Sequence, residues 1–257
     1  MTIKVIIAAH RPYAVPDDDL YLPLQVGAQR GQPIGFAGDN TGDNISEKNP
    51  SFCELTGLYW AWKNLSDDYI GLVHYRRYFG HHRPARRFFD RILTGEQAQA
   101  LLAGRDGLLP APRHYIIESL YSHYQNTCHI EPLDAAGDII RERCPAYLPA
   151  FERLHHRRSA HMFNMFILRR DHLDAYCRWL FDILFELEHR VDASAYSAFQ
   201  ARFFGRVSEL LLDVWLDQNP LDCAVLPVIS PEHTPWLKKG AAFLSAKFTH
   251  KKYKQSF

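Results

Sequence analysis

Five consecutive residues, His74-Tyr75-Arg76-Arg77-Tyr78, bring together an imidazole, two phenols and two guanidinium groups. Guanidinium forks match phosphate oxygens in bidentate geometry, so this pattern suits an anion, a diphosphate above all. His74 would add a general acid or one more donor to that anion. A salt-bridged sheet edge would use the same residues, and a lone histidine is more often structural, so the residue types leave both readings open. Position favours the anion. The pentapeptide ends the apolar run Tyr69-Ile-Gly-Leu-Val73, which reads as a buried parallel strand, and open α/β sheets take ligands at the mouths of such strands.

Other chemistry is scattered along the chain. Glu209 follows Ser208 and precedes Leu210, Leu211, Leu212 and Trp215. A carboxylate desolvated among them would have a raised pKa, suited to a general base; a first-turn glutamate favoured by the helix dipole is the plainer reading. The polar loop from Asp39 to Pro50 offers Asp39, Asp43, Asn44, Ser46 and Asn49 to a sugar or nucleotide, although such residues also populate turns for local reasons. It lacks the alternation and closing glutamate of a calcium loop. Glu118 and His123 fall within one or two turns of a helix with Tyr121 and Ser122, a polar face over a cleft or an ordinary amphipathic surface. His161 and Asn164 flank an apolar strand, where a buried asparagine needs partners. No phosphate loop, dinucleotide glycine motif, nucleophile elbow or His-Glu-x-x-His motif is present.

The elements that must position these residues alternate in type. Strands are expected at 3–9, 69–73, 107–112, 162–168 and 224–229, and helices at 51–65, 171–188 and 207–216, with Ser51 as a cap and Glu54 at the capping-box position. Residues 14–50 read as a long loop. This order predicts an α/β Rossmann-type sheet flanked by helices over residues 1–235, with a helical insertion at about 115–158. A basic, aromatic amphipathic tail over 236–257 would suit either an anionic membrane surface or docking on the domain. A net charge of +1 gives no field for nucleic acid, and five scattered cysteines fit free thiols in a reducing cytoplasm. With no signal peptide and no transmembrane run, the sequence predicts a cytoplasmic protein, peripheral at the membrane if the tail binds it.

Several blocks together resemble a known family. They are Asp43-Asn-Ile-Ser-Glu-Lys-Asn-Pro50, Glu54-Leu-Thr-Gly-Leu-Tyr-Trp-Ala-Trp-Lys-Asn64, Gly71-Leu-Val-His-Tyr-Arg-Arg-Tyr-Phe79, Tyr115 to Tyr124, His161-Met-Phe-Asn-Met-Phe-Ile167, Trp179-Leu-Phe-Asp-Ile-Leu184 and Gly205-Arg-Val-Ser-Glu209. The pattern is similar to bacterial capsular and exopolysaccharide glycosyltransferases long catalogued as a domain of unknown function, some of them galactofuranosyltransferases. The resemblance implies a GT-A-like fold that takes a UDP-sugar donor and a glycan or lipid-linked glycan acceptor. It also implies specific roles. His74, Tyr75, Arg76 and Arg77 stand where most GT-A enzymes carry a metal-binding Asp-x-Asp, so arginine charge would replace the metal, and no divalent cofactor is expected. Glu209 would be the base of an inverting transfer, with Asp39 and Asp43 behind it. Ala8, His10 and Tyr13 would meet the nucleotide, and His161 and Asn164 the sugar or acceptor. A non-catalytic nucleotide-sugar or glycan-binding subunit of an assembly complex is the competing expectation, and a sugar-phosphate phosphotransferase a third.

Overall fold

Two strands at the centre, β1 (Ile3–Ala9) and β4 (Tyr69–His74), are apolar along most of their length because both faces of their sheet are covered. In the computed structural model, which describes residues 1–232, β1 pairs in parallel with β4 on one side and with β2 (Tyr21–Gln25) on the other. The sheet continues through β3 (Ala37–Gly38) at one edge. Beyond β4 come β9 (Phe166–Arg169), β6 (Gly107–Pro110) and β10 (Cys223–Leu226), giving the order β10-β6-β9-β4-β1-β2-β3. Only β9 runs antiparallel to its neighbours. The fold is mixed α/β with a mostly parallel central sheet, as the element order predicts.

Alternation along β1 divides the core into two layers. Ile6 and Ala8 face a large cluster with Leu24, Ile70, Phe166, Trp62, Tyr176, Phe181 and Trp215, whereas Val5 and Ile7 face a smaller one with Val73, Tyr78, Phe79, Leu102 and Ile167. The large layer is built by α1 (Asn49–Phe52), α2 (Leu55–Asn64), α7 (Arg170–Arg190) and α8 (Phe203–Gln218). The small layer holds α3 (Gly95–Leu102) and an antiparallel pair of β5 (Tyr78–Phe79) with β11 (Val228–Ile229). Between β7 (Arg113–His114) and its partner β8 (Ser159–Ala160) the chain forms α4 (Leu120–Thr127), α5 (Glu131–Arg143) and α6 (Leu148–Glu152). Gly71 lets β9 approach β4: a Cβ there would lie 2.8 Å from the Phe166 carbonyl oxygen.

Four local expectations need correction. The helix at 51–65 is broken: Cys53 takes φ 53°, which ends α1, and Glu54 makes no capping box. The strand at 162–168 starts only at Phe166, because Phe163 and Asn164 have φ of 77° and 52°, outside any strand. Residues 14–50 contain β2, which pairs with the buried β1, and β3, which pairs with β2; this pairing compensates for weak local patterning. Pro227, without an N–H, separates β10 from β11, so the strand at 224–229 serves two sheets. Among the described residues no helix is long and apolar enough to cross a membrane. The tail at 236–257 lies outside the described residues.

Candidate functional site

At the mouth of β4 the chain reverses in a tight turn. The His74 N–H donates to the Arg77 carbonyl at 3.2 Å, and the Arg77 N–H to the His74 carbonyl at 2.9 Å. This turn sends the two arginines apart. Arg76 is exposed and pairs with Glu232 at 2.6 Å, a carboxylate that also takes Arg11 at 3.2 Å. Arg77 lies with its guanidinium carbon 4.3 Å from the centre of the Phe163 ring. Tyr75 turns back over β1: its N–H donates to the Ala8 carbonyl at 3.3 Å, and its ring packs against His10 and Tyr13 at 5.4 and 5.7 Å. Burial, with Arg202, Arg11 and Arg76 adding to it, lowers the pKa of His10. The Tyr13 hydroxyl is buried without a hydrogen-bond partner among the described residues.

Beside this mouth opens a cleft of about 280 Å³, lined in part by Cys53, Glu54, Arg113, Arg202, Arg206 and Glu209. Glu209 lies in the second turn of α8, not the first, so the helix dipole does not account for it. Burial, then repulsion from Glu54, pushes its carboxyl up to about 7, against the opposing pull of Arg77, Arg113 and Arg206. Asn164 holds Glu54 in place: its Nδ2 donates to Glu54 at 2.7 Å and to the Gly205 carbonyl at 3.0 Å, while Ser208 donates to its Oδ1 at 2.7 Å. The neighbouring Phe163 carbonyl accepts from His74 Nε2 at 2.6 Å, which fixes the proton on that nitrogen. Two consecutive left-handed residues therefore aim one group at the β4 mouth and the other at Glu54.

On the insertion side, Glu118 is buried and faces His123 Nδ1 at 3.1 Å, with Asn126 donating to its other oxygen at 2.8 Å. Burial lowers the pKa of His123, and Glu118 opposes that shift. Arg206 Nη1 and the Tyr124 hydroxyl are buried in the cleft wall without hydrogen-bond partners among the described residues. Orphaned donors in a concave site are what a polar ligand would satisfy. Arg202 Nε donates to Cys53 Sγ at 3.0 Å, and burial pushes that thiol up to about 11, so it is no thiolate at neutral pH. Among the described residues no group of three or more His, Cys, Asp or Glu is placed to hold a metal ion.

The structure does not bring the polar loop into this cleft. Asp39 is fully buried and accepts from the N–H groups of Gly27 and Ala28, both at 3.0 Å, from Thr56 at 2.6 Å and from Ser46. With those four bonds it ties the loop to β2 and α2 and has no place to receive an acceptor's proton. Asp43 accepts from Tyr59 at 3.2 Å on the exposed side of α2, and Asn44 bonds within its own turn. Neither expected catalytic aspartate lines the cleft. Asn49 donates to the Cys53 carbonyl at 2.8 Å and, with Ser46, His10, Gln25 and Arg30, lines a second cavity of about 390 Å³ at the β2 mouth. His161 is held by Asp213 through Nδ1 and its own N–H, each at 2.7 Å, and Arg157 shares that carboxylate at 2.8 Å. Sequence reasoning passed over Glu54 as a cap. It also passed over Arg202 and Arg206, although with Glu209 they stand at i, i+4 and i+7, one stripe of a helix.

Comparison with known proteins adds three findings. Residues 4–220 match DUF4422, described as a domain of unknown function. A search of curated proteins returns no match. Among solved structures, the apo form of WbbM, a bifunctional glycosyltransferase, superposes with a TM-score of 0.83 at 30% identity, covering 91% of this chain. The chain spans only 46% of that protein's length. The family match covers both the β4 mouth and the α8 face of the cleft; the chain belongs to the DUF4422 family.

Proposed function

We propose that the chain is a glycosyltransferase that moves a hexose from a UDP-sugar to a growing cell-surface polysaccharide, by an inverting reaction without a metal. The observation that carries this reading is Glu209: a carboxyl pushed up to about 7, beside Glu54 and facing Arg77, Arg113 and Arg206, in a cleft next to the strand mouths. The likeness to WbbM supports the reaction class. Galactofuranose as the transferred sugar rests on the sequence resemblance alone.

In the proposed step an acceptor hydroxyl attacks the anomeric carbon of the donor. Its O–H proton passes to Glu209 while the bond from that carbon to the diphosphate oxygen breaks. The charge that develops on the departing UDP is met by Arg77, with Arg202 and Arg76 nearby, and preorganised guanidinium groups supply the stabilisation a metal would otherwise give. His10, Tyr13 and Tyr75 form an aromatic wall for the nucleotide at the end of β1. His123, oriented by Glu118, faces the acceptor.

The test is transfer or hydrolysis by purified protein over a panel of UDP-sugars, each with and without EDTA. The expected result is turnover with one donor, unaffected by EDTA and lost in Arg77→Ala. Turnover that disappears in EDTA and returns with Mn²⁺ would overturn the metal-free mechanism. Donor binding without turnover of any acceptor or water would instead favour a non-catalytic binding subunit.

A further inference from the structure

Among the described residues Ile116 is the most exposed large apolar side chain, at 86%, and its neighbour Ile117 is 52% exposed. They sit in the short link between β7 and α4. Exposing two adjacent isoleucines gives up the burial that normally stabilises such side chains, so a partner surface is the economical explanation. The link is not loose. The Tyr115 N–H donates to the Arg158 carbonyl at 2.7 Å, the Leu120 N–H to the Arg157 carbonyl at 2.8 Å, and the Arg158 guanidinium reaches the Ile116 carbonyl at 3.4 Å.

Beside the pair, one exposed cation lacks a carboxylate partner among the described residues. Arg158 is exposed and makes no ion pair among the described residues, whereas Arg157 is neutralised by Asp213 and Asp217, and Arg113 turns over the Tyr115 ring into the cleft that holds Glu209. Glu118, the nearest acid in sequence, is buried against His123 and Asn126. Paired apolar side chains beside an unpaired arginine complement an anionic lipid surface: the isoleucines enter the acyl boundary and Arg158 meets a headgroup phosphate. The link is also rooted in the cleft, since Arg113 and Tyr115 line it.

We infer that the 113–118 link docks on an anionic bilayer and brings the rim of the cleft to the membrane surface. This site is distinct from the C-terminal tail and does not depend on the proposed chemistry. The test uses the full chain and co-sedimentation with vesicles of phosphatidylcholine alone or mixed with phosphatidylglycerol. Wild type should bind the anionic vesicles, with Arg158 contributing about fivefold in affinity. Ile116→Ser/Ile117→Ser should lose about tenfold or more, and Arg158→Gln about fivefold on anionic vesicles only, with melting temperatures unchanged because these side chains are exposed. Wild-type affinity in the double variant would overturn the proposal, as would the absence of binding to either vesicle. A concentration-dependent dimer abolished by the double variant, with no vesicle binding, would assign the patch to a second copy of the chain instead.

Discussion

Glu209 carries two opposing consequences of one environment. Burial and the Glu54 charge make its carboxyl hold a proton up to about 7, which suits a base that works near neutrality but makes its ionised form costly. Acting as base, it must be deprotonated, so kcat/KM is expected to rise with pH through about 7. Glu54→Gln removes the like charge, lowers the Glu209 pKa and should move that limb to lower pH. Glu209→Gln should cost about 10²–10⁴-fold in rate, and an unchanged rate would remove the residue from the role. Stability gives an independent reading. A carboxyl whose folded pKa lies above its ordinary 4.5 binds its proton more tightly when folded, so its contribution is full below that value and is lost as pH rises through about 7. Thermal melts of Glu209→Gln should therefore match wild type near pH 4 and exceed it at about pH 8. That charged residue in an apolar turn was legible in the sequence. Glu54 was not, because its local pattern imitates a cap and its true partner, Asn164, is 110 residues away.

Among the elements, the segment between β8 and β9 decides how the cleft is assembled. Read from sequence it continues a strand; in the fold it breaks, because Phe163 and Asn164 adopt left-handed backbone. Asparagine tolerates that conformation better than most residues, and here its side chain also joins Glu54, Gly205 and Ser208. Asn164→Ala is expected to destabilise the protein by about 2–4 kcal/mol, combining unpaired buried groups with backbone strain. Asn164→Gly loses the same hydrogen bonds but relieves the strain, so urea denaturation should place it about 1 kcal/mol above the alanine variant. Equal stability of the two would show that the backbone stores no strain at this position. Both should release Glu54 and lower activity. The long strands and helices were legible from periodicity because burial writes them into the local pattern. Turns such as this one, and the Asp39 tie between loop, β2 and α2, are fixed by distant partners and leave only a polar residue in an apolar or loop context as a trace.

Across the whole molecule, the sheet gathers cationic groups from remote parts of the chain onto one edge. Arg11 follows β1, Arg76 and Arg77 follow β4, Arg202 immediately precedes α8 and Arg206 lies in its first turn. Each adds repulsion that an anionic ligand would relieve, and binding to the folded state alone stabilises it by mass action. UDP at about 100 times its dissociation constant should add about 2.7 kcal/mol, which for a domain of this size raises the melting temperature by roughly 5–10 °C. EDTA should not change that shift. Arg77 and Arg76 are not expected to contribute equally: Arg77 lies against Phe163 beside the cleft, whereas Arg76 is exposed and already shared with Glu232. Arg77→Ala should therefore abolish most of the UDP-induced shift, and Arg76→Ala only a minor part, because an exposed ion pair contributes little. A shift that requires Mn²⁺, or one that survives Arg77→Ala intact, would place the diphosphate elsewhere on this edge and leave the turn after β4 a structural role alone.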